Sequence, residues 1–302
     1  MTVAAKTYDT ERAVLAVVIA VLALSLGDAI IKTSSLTLPL WQMYVLRSAL
    51  VLPILYLLVW KNGVRPFESL GWVVARSVLL VLMWLSYYVS LPLMPLSLAA
   101  AAYYTSPILI TVLAAMLART WPAPRALVAI ALGFGGVILV LRPDTSEFQV
   151  TTLLPVLAAS LYACAMVLTS AKCRDNDPFA MALALNIAFI IGGLILSLFA
   201  GQKESIIFGS WQPVELKLFG IVTALAAVIL IGSVGAAIAY QNGPPATVAA
   251  FDYSYLVFSL IWGGLFFGEL PDTLSLAGIV IIVGAGLLAL PSNRSRINAK
   301  DI

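Results

Sequence analysis

Apolar stretches long enough to cross a lipid bilayer recur along almost the whole of this 302-residue chain. A helix needs about 20 mostly apolar residues to span the hydrocarbon layer, and stretches of this kind leave no segment large enough for a separate soluble domain. Hydrophobic residues make up 62% of the chain and charged residues only 10%, whereas roughly 25% of the residues in a soluble domain are charged. The sequence therefore predicts an all-α polytopic membrane protein.

Hydropathy predicts ten membrane spans when Pro, Gly and charge clusters are taken as their boundaries. The spans cover residues 13–33, 39–60, 70–91, 96–118, 124–141, 151–171, 179–200, 217–240, 246–268 and 273–290. An even number of spans places both termini on one side of the membrane. Eleven of the 17 Lys and Arg residues fall on that side and four on the opposite side. Because basic residues favour cytoplasmic loops, both termini are expected in the cytoplasm.

The chain also contains a weak internal duplication. At an offset of about 150 residues, "PLSLAAAAYYTSP" from Pro95 aligns with "PATVAAFDYSYLV" from Pro245, and Tyr103 falls opposite Tyr253. Five spans per copy is an odd number, so the second copy enters the membrane from the opposite side. We therefore expect two inverted five-helix repeats, residues 1–148 and 149–302, around a central cavity. The second repeat ends in a short cytoplasmic tail, and this architecture is common in secondary transporters.

Motifs for catalysis or cofactor binding do not occur in this sequence. It contains no histidine and only two cysteines, Cys164 and Cys173, whose spacing suits neither a metal site nor a disulfide. No HExxH, GxSxG, P-loop or CxxC pattern is present. We expect no enzyme activity, no catalytic residues, no cofactor, no metal and no nucleic acid. The expected partners are a small-molecule substrate and membrane lipid, with a monomer as the simplest assembly.

Two motifs carry a resemblance to a known family. The first is "GDAIIKTSSLTLPLWQMYVLR", in which a Gly, Lys32, a Pro and Arg47 follow one another, and the second is the Gly-Glu pair ending at Glu269 after the ninth span. Together they resemble the ten-span EamA branch of the drug/metabolite transporter superfamily over nearly the whole chain. The resemblance implies a cavity lined mainly by the first, third, fourth, sixth, eighth and ninth spans.

The same resemblance implies a function. Members of the family move metabolites, often amino acids, outwards across the bacterial inner membrane, and this chain is most similar to their exporters of aromatic amino acids. We therefore expect a secondary transporter that exports amino acids, aromatic ones or a broad range, by alternating access. The alternatives are an exporter of other small metabolites or drugs, and a channel, although no charged ring or filter motif is present.

Five charged residues inside the predicted spans are candidates for ion pairs or for a role in gating. They are Asp28, Lys32, Arg47, Arg76 and Asp252. Charges in spans usually pair or line a polar cavity. Asp28 and Arg47 lie at similar depths, about 10 and 12 Å from one face by the helical rise. This depth match predicts an Asp28–Arg47 ion pair with Lys32 as a third member, either holding two helices together or acting in gating or in binding a substrate carboxylate.

A second ion pair is predicted in the cytoplasmic half of the membrane. Arg76 and Asp252 each lie about 9 Å from that face, on the third and ninth spans. Asp252 has a second interpretation, because buried acids in transporters also act as protonatable coupling groups. Both residues therefore remain candidates for a structural or a functional role.

Aromatic residues recur in the spans that the family uses for its cavity. A ring of aromatic groups with scattered hydroxyls suits a planar apolar solute that carries a small polar group. The predicted cavity residues are Trp84, Tyr88, Tyr103, Tyr162, Tyr240 and Tyr253. The alternative is that they serve helix packing, while aromatic residues at span ends form the interfacial belt.

Overall fold

The computed structural model describes residues 9–34, 38–61, 63, 67–119, 124–141, 150–201 and 205–289. These residues form α-helices with short 3-10 and π segments, and the described part contains no strand. The helices are α1 (Thr10–Ser34), α2 (Leu40–Lys61), α3 (Leu70–Ser90), α4 (Leu96–Tyr103), α5 (Ser106–Leu117), α6 (Pro124–Leu141), α7 (Leu154–Lys172), α8 (Pro178–Ser197), α9 (Leu216–Asn242), α10 (Pro245–Asp252), α11 (Ser254–Trp262) and α12 (Thr273–Ala289).

Eight helical segments in the described part of the chain are long and apolar enough to cross a membrane. One of them runs through α4 and α5, and another through α10 and α11. Helices α6 and α12 cover the predicted fifth and tenth spans with 18 and 17 residues. The all-helical, multi-span part of the prediction is therefore confirmed.

The helices pack in pairs, each joining one helix from before residue 148 to one from after it. The main pairs are α1 with α9, α2 with α8, α3 with α7, and α6 with α12, while the broken helices α4–α5 pack against α10–α11. Each pair buries its apolar contact face, so the core lies between the two halves of the chain rather than inside either half.

Helices α1 and α9 run antiparallel. Gly243, just after α9, lies against Ala13, whereas Gly232, farther back in α9, lies against Leu24. Lys32 near the end of α1 and Gln241 near the end of α9 therefore lie at opposite ends of the molecule. We call these the Lys32 end and the Gln241 end. From residue 13 to residue 32 a helix rises about 28 Å, close to the hydrocarbon thickness of about 30 Å.

A glycine allows the close approach of α2 and α8. A Cβ added at Gly193 on α8 would lie 2.8 Å from the backbone oxygen of Trp41 and 2.8 Å from Cγ2 of Val45. Small residues at helix contacts let backbones approach closely, which matters most in a membrane, where helix association depends on packing. Gly193 thus fixes how tightly the second and eighth helices pack.

We expect Gly193→Ala to lower the stability of the folded chain by about 1–3 kcal/mol, because the added methyl group forces two backbones apart. Thermal unfolding of the purified protein in detergent measures this change. Gly220→Ala on α9 is the matched control, since a Cβ there meets nothing within 4 Å. Equal melting temperatures for the two variants would contradict the packing argument.

Two helices are interrupted near the middle of the molecule. Helix α4 ends at Tyr103 and α5 begins at Ser106, while α10 ends at Asp252 and α11 begins at Ser254. The breaks lie at matching positions of the sequence duplication. Helix α11 continues as a π-helical turn, Gly263–Phe267, which Gly268 ends with a left-handed φ of 65°. Glycine adopts this φ without the steric cost that other residues incur.

Candidate functional site

A small, largely enclosed cavity of about 30 Å³ lies at the level of the helix breaks. It has room for about two water molecules. Its lining comes from α1, α3, α4, α7, α10 and α11, which are five of the six spans implied by the family resemblance. The lining residues are Val21, Leu24, Asp28, Trp84, Tyr87, Tyr103, Tyr104, Tyr162, Asp252 and Tyr255. Within the described residues, no cluster of three or more His, Cys, Asp or Glu side chains could hold a metal ion.

Asp28 projects into this cavity from α1 and is only 1% exposed. Its Oδ2 atom accepts a hydrogen bond from the Tyr255 hydroxyl, which in turn lies 3.0 Å from the Tyr87 hydroxyl. The other carboxyl oxygen, Oδ1, has no hydrogen-bond partner. A carboxyl group from the first half of the chain is therefore held by a tyrosine from the second half.

Asp252 is the second carboxyl group in the cavity and is 2% exposed. Its Oδ2 atom accepts hydrogen bonds from the Tyr240 hydroxyl at 2.5 Å and the Tyr162 hydroxyl at 3.3 Å. Its Oδ1 atom, like that of Asp28, has no hydrogen-bond partner. The two acids thus share one environment, in which tyrosine hydroxyls satisfy half of each carboxyl group.

The predicted Asp28–Arg47 ion pair is not formed. Arg47 is buried on α2, where its Nη1 atom donates to the Tyr88 hydroxyl at 3.1 Å. Its guanidinium lies over the rings of Phe189 at 4.4 Å and Tyr44 at 5.0 Å, in cation–π geometry. The prediction was wrong because it matched depth alone. Helix α2 packs mainly against α8, and α1 packs mainly against α9.

The predicted contact between Arg76 and Asp252 is also not formed. Arg76 lies buried on α3, and its Nε atom donates to the Thr169 hydroxyl on α7 at 2.7 Å. Asp252 faces the two tyrosines described above. Helix α3 packs most extensively against α7, so the guanidinium finds its partner there.

Lys32 pairs with Glu269 instead of joining Asp28 and Arg47. Its Nζ atom lies 2.5 Å from Oε1 of Glu269, donates to the Met94 carbonyl at 3.2 Å and lies 4.9 Å from the centre of the Phe267 ring. The second oxygen of Glu269 accepts from the backbone N–H of Leu96, at the start of α4, at 3.0 Å. These five residues connect both halves of the chain at the Lys32 end, and we call them the Lys32 closure.

A second set of hydrogen bonds connects the halves at the Gln241 end. Nε2 of Gln241 lies 2.9 Å from the Cys173 carbonyl and 2.7 Å from the Asn176 carbonyl. The Asn176 side chain donates to the Ser69 hydroxyl, just before α3, at 2.7 Å. These four residues form the Gln241 closure. The two halves of the chain are therefore joined at both ends of the molecule, on either side of the cavity level.

We expect the Gln241 closure to shield Cys173 from water-soluble maleimides. The Cys173 side chain is fully buried, and burial raises the pKa of its thiol, which lowers the fraction of reactive thiolate. In a Cys164→Ala background, Gln241→Ala should raise the rate of Cys173 labelling in membranes by at least about tenfold, because it releases the 173–176 connection. Gln212→Ala at the Lys32 end is the control, and an equal rise there would contradict the assignment.

The predicted aromatic residues fall into two groups. Trp84, Tyr103 and Tyr162 line the cavity. The other three surround it. The Tyr88 ring is tilted against Trp84 with the ring centres 4.9 Å apart, the Tyr240 hydroxyl donates to Asp252, and the Tyr253 ring lies 5.5 Å from that of Tyr104.

The structure adds three tyrosines that the predicted set omits. They are Tyr87, Tyr104 and Tyr255. Tyr87 and Tyr104 are next to predicted residues in the sequence, and Tyr255 is two residues from one. Proximity to the predicted residues was the available signal, but which ring faces the cavity depends on the helix breaks.

Comparisons with known proteins agree with this architecture. The model of the EamA-like transporter family matches twice, at residues 11–142 and 150–290. A solved crystal structure superposes with a TM-score of 0.69 and 16% identity over 93% of this chain and 97% of that chain, which indicates a shared fold.

Curated relatives transport several different compounds. The pseudopaline exporter of Pseudomonas aeruginosa is 25% identical over 90% of this chain and 93% of its own length. A riboflavin transporter of Vibrio cholerae is 28% identical over 80% of this chain and 78% of its own. An S-adenosylmethionine uptake transporter of Rickettsia conorii is 26% identical, with 78% and 76% covered.

None of these three relatives is named for aromatic amino acids, so they do not support that finer part of the sequence-based resemblance. They are transporters of small metabolites and not enzymes. Because the family model matches both halves, with only a short gap between the two matches, the chain belongs to the EamA-like transporter family.

Proposed function

We propose that this protein is a secondary transporter of the bacterial inner membrane that exports amino acids, with a preference for aromatic side chains, by alternating access. The main support for the proposal is the small cavity lined by aromatic rings and two carboxyl groups, together with the contacts that join the two halves of the chain at each end of the molecule. A carrier needs such a site, because the substrate must be enclosed before the opposite side opens.

The architecture in this proposal is ten spans in two inverted repeats, residues 1–148 and 149–302. The helix pairing supports it. If the two repeats are equivalent, α1 corresponds to α7 and α3 to α9, so the α1–α9 and α3–α7 pairs are equivalent contacts. The α2–α8 and α6–α12 pairs each join two corresponding helices. The matching helix breaks and the double family match support the same arrangement. Discontinuous helices near the midplane are where such carriers bind their substrates.

The proposed orientation places both termini in the cytoplasm, because basic residues are concentrated in the loops on that side. The Lys32 closure then faces the periplasm and the Gln241 closure faces the cytoplasm. Export requires the Gln241 end to open first and the Lys32 end second. The pseudopaline relative is named as an exporter, whereas the S-adenosylmethionine relative is named for uptake, so direction needs its own measurement.

A second candidate function is transport of another small metabolite with an aromatic ring system. The relatives favour it, because riboflavin and S-adenosylmethionine both contain such rings. The same lining of tyrosines and Trp84 suits either class, since stacking does not depend on what the ring is attached to.

Counterflow in proteoliposomes tests both candidates. Vesicles containing the purified protein are loaded with unlabelled phenylalanine, tryptophan, leucine, riboflavin or S-adenosylmethionine, and entry of the same labelled compound is followed. We expect transient accumulation of labelled phenylalanine and tryptophan, and less of leucine. Accumulation of riboflavin or S-adenosylmethionine alone would replace the first function with the second. Flux that only dissipates a gradient, without counterflow, would indicate a channel.

A further inference from the structure

The cavity contains two acids and no basic side chain. Asp28 and Asp252 both line it, and each has one carboxyl oxygen without a hydrogen-bond partner. Neither nearby arginine bonds these acids or lines the cavity: Arg47 donates to Tyr88 and Arg76 donates to Thr169. Three of their buried nitrogens, Nε and Nη2 of Arg47 and Nη1 of Arg76, have no hydrogen-bond partner. Buried carboxyl groups with unused acceptor atoms require a proton or a cationic donor, because ionised groups are costly to hold in a low-dielectric interior.

The aromatic rings of the cavity lining favour cations as well. Rings from Trp84, Tyr103 and Tyr162 lie around the space between the two acids. The negative face of an aromatic ring attracts a cation, and cages of such rings bind organic ammonium groups. Tyrosine hydroxyls already hold Oδ2 of each acid, which aims the remaining oxygen of each carboxyl group at a different partner.

The geometry points to a binding site for a cationic amine, in which the ammonium group of the substrate lies between Asp28 and Asp252 and against the surrounding rings. This inference rests on the proposed transport function and specifies what the same site recognises. A carboxylate on the substrate contributes little, because the cavity lining offers it no positive partner. The aromatic preference and the amine requirement then arise from the same cage.

The cavity in this structure is smaller than any aromatic amine, so the site must widen when such a compound binds. Each acid lies close to one closure: Asp28 is one helical turn from Lys32, and Asp252 is bonded to Tyr240, the neighbour of Gln241. Opening either end therefore exposes one of the two carboxyl groups first. An incoming ammonium group meets a carboxyl group whichever end is open.

Three compounds of similar size distinguish the contribution of the ammonium group to binding from that of the carboxylate group. Phenylalanine carries both charges, phenethylamine carries only the ammonium, and 3-phenylpropionate carries only the carboxylate. Their dissociation constants are measured by titration calorimetry on the purified full-length protein in detergent. We expect phenethylamine to bind at least about tenfold more tightly than 3-phenylpropionate, the size of effect expected for one charged hydrogen bond. Equal affinity of the two compounds would overturn the inference without any variant.

Single substitutions locate the effect. Asp28→Asn and Asp252→Asn should each weaken phenethylamine binding at least about tenfold and leave 3-phenylpropionate unchanged. Glu11→Gln is the matched control, because it removes an exposed acid from the same helix as Asp28. Unchanged phenethylamine affinity in both folded Asp variants would overturn the assignment. Loss of 3-phenylpropionate binding in Arg47→Met would also overturn it, because Arg47 would then bind the carboxylate of the substrate.

This assay is independent of transport. Selective amine binding in a protein that gives no counterflow would contradict the carrier function and leave the amine site intact. Phenylalanine counterflow that 3-phenylpropionate inhibits as well as phenethylamine does would contradict the amine site and leave the carrier function intact.

Discussion

Glu269→Gln should open the Lys32 end of the transporter and reduce its transport rate at least about tenfold. The substitution removes the negative charge that pairs with Lys32, whose side chain is 13% exposed. It also weakens the acceptor for the N–H of Leu96. Loss of a charged hydrogen bond at a partly buried site costs about 1.5–3 kcal/mol, and here only the closed state bears that cost. The equilibrium therefore shifts towards states in which the Lys32 end is open.

Accessibility of the cavity measures this shift. Leu24→Cys, in a background with Cys164→Ala and Cys173→Ala, places a single thiol in the cavity lining. An impermeant thiol reagent added to whole cells should label this residue faster when Glu269→Gln is present. Glu215→Gln is the matched control, since Glu215 is exposed at the same end of the molecule. Unchanged labelling in Glu269→Gln would show that the Lys32 closure does not hold the cavity shut.

Asp28→Arg and Arg47→Asp should each lower the amount of folded protein, and combining the two substitutions should not restore it. The two residues have different partners, so Arg47→Asp places an acid among the rings of Tyr44, Tyr88 and Phe189. Burying an unpaired charge costs about 3–5 kcal/mol. Asp28→Arg places an unpaired guanidinium against the hydroxyls of Tyr255 and Tyr87, where the wild-type protein has a smaller carboxyl group. The double variant contains both defects.

Folded level, measured by size-exclusion chromatography of detergent extracts, tests this expectation. Arg47→Met is the comparison variant, because it keeps an unbranched side chain against the rings while removing the charge. We expect it to retain more folded protein than Arg47→Asp does. If the double variant recovers the wild-type amount of folded protein, the direct Asp28–Arg47 ion pair predicted from depth is supported after all.

The span positions could be predicted because the length of an apolar run is a local property of the sequence. Partner choice could not, since Lys32 and Glu269 are 237 residues apart and meet only once α1 has packed near the end of α11. Asp28 and Arg47 are close in sequence and in depth, yet they lie on helices with different neighbours. Charge patterns therefore identified the important residues but not their partners.

The helix breaks show a similar limit. Pro107 lies in the first turn of α5, a position where proline is common, and it could have placed the break near residue 105. No proline marks the break at Tyr253, which only the internal duplication relates to the first one. The breaks orient Tyr104 and Tyr255 towards the cavity, so both rings were missing from the predicted set.

Substrate exchange through a protein whose Lys32 closure can be locked tests alternating access directly. Lys32→Cys and Glu269→Cys are combined in the cysteine-free background and joined by a bifunctional methanethiosulfonate crosslinker, which a reducing agent cleaves. Proteoliposomes are then assayed for counterflow of phenylalanine before and after reduction. Alternating access through this end requires that exchange stops in the crosslinked protein. After reduction, exchange should return to the lower rate of the same double-cysteine protein that was never crosslinked, since both substitutions remove the Lys32–Glu269 pair. Undiminished exchange with the crosslinker in place would contradict alternating access through this end.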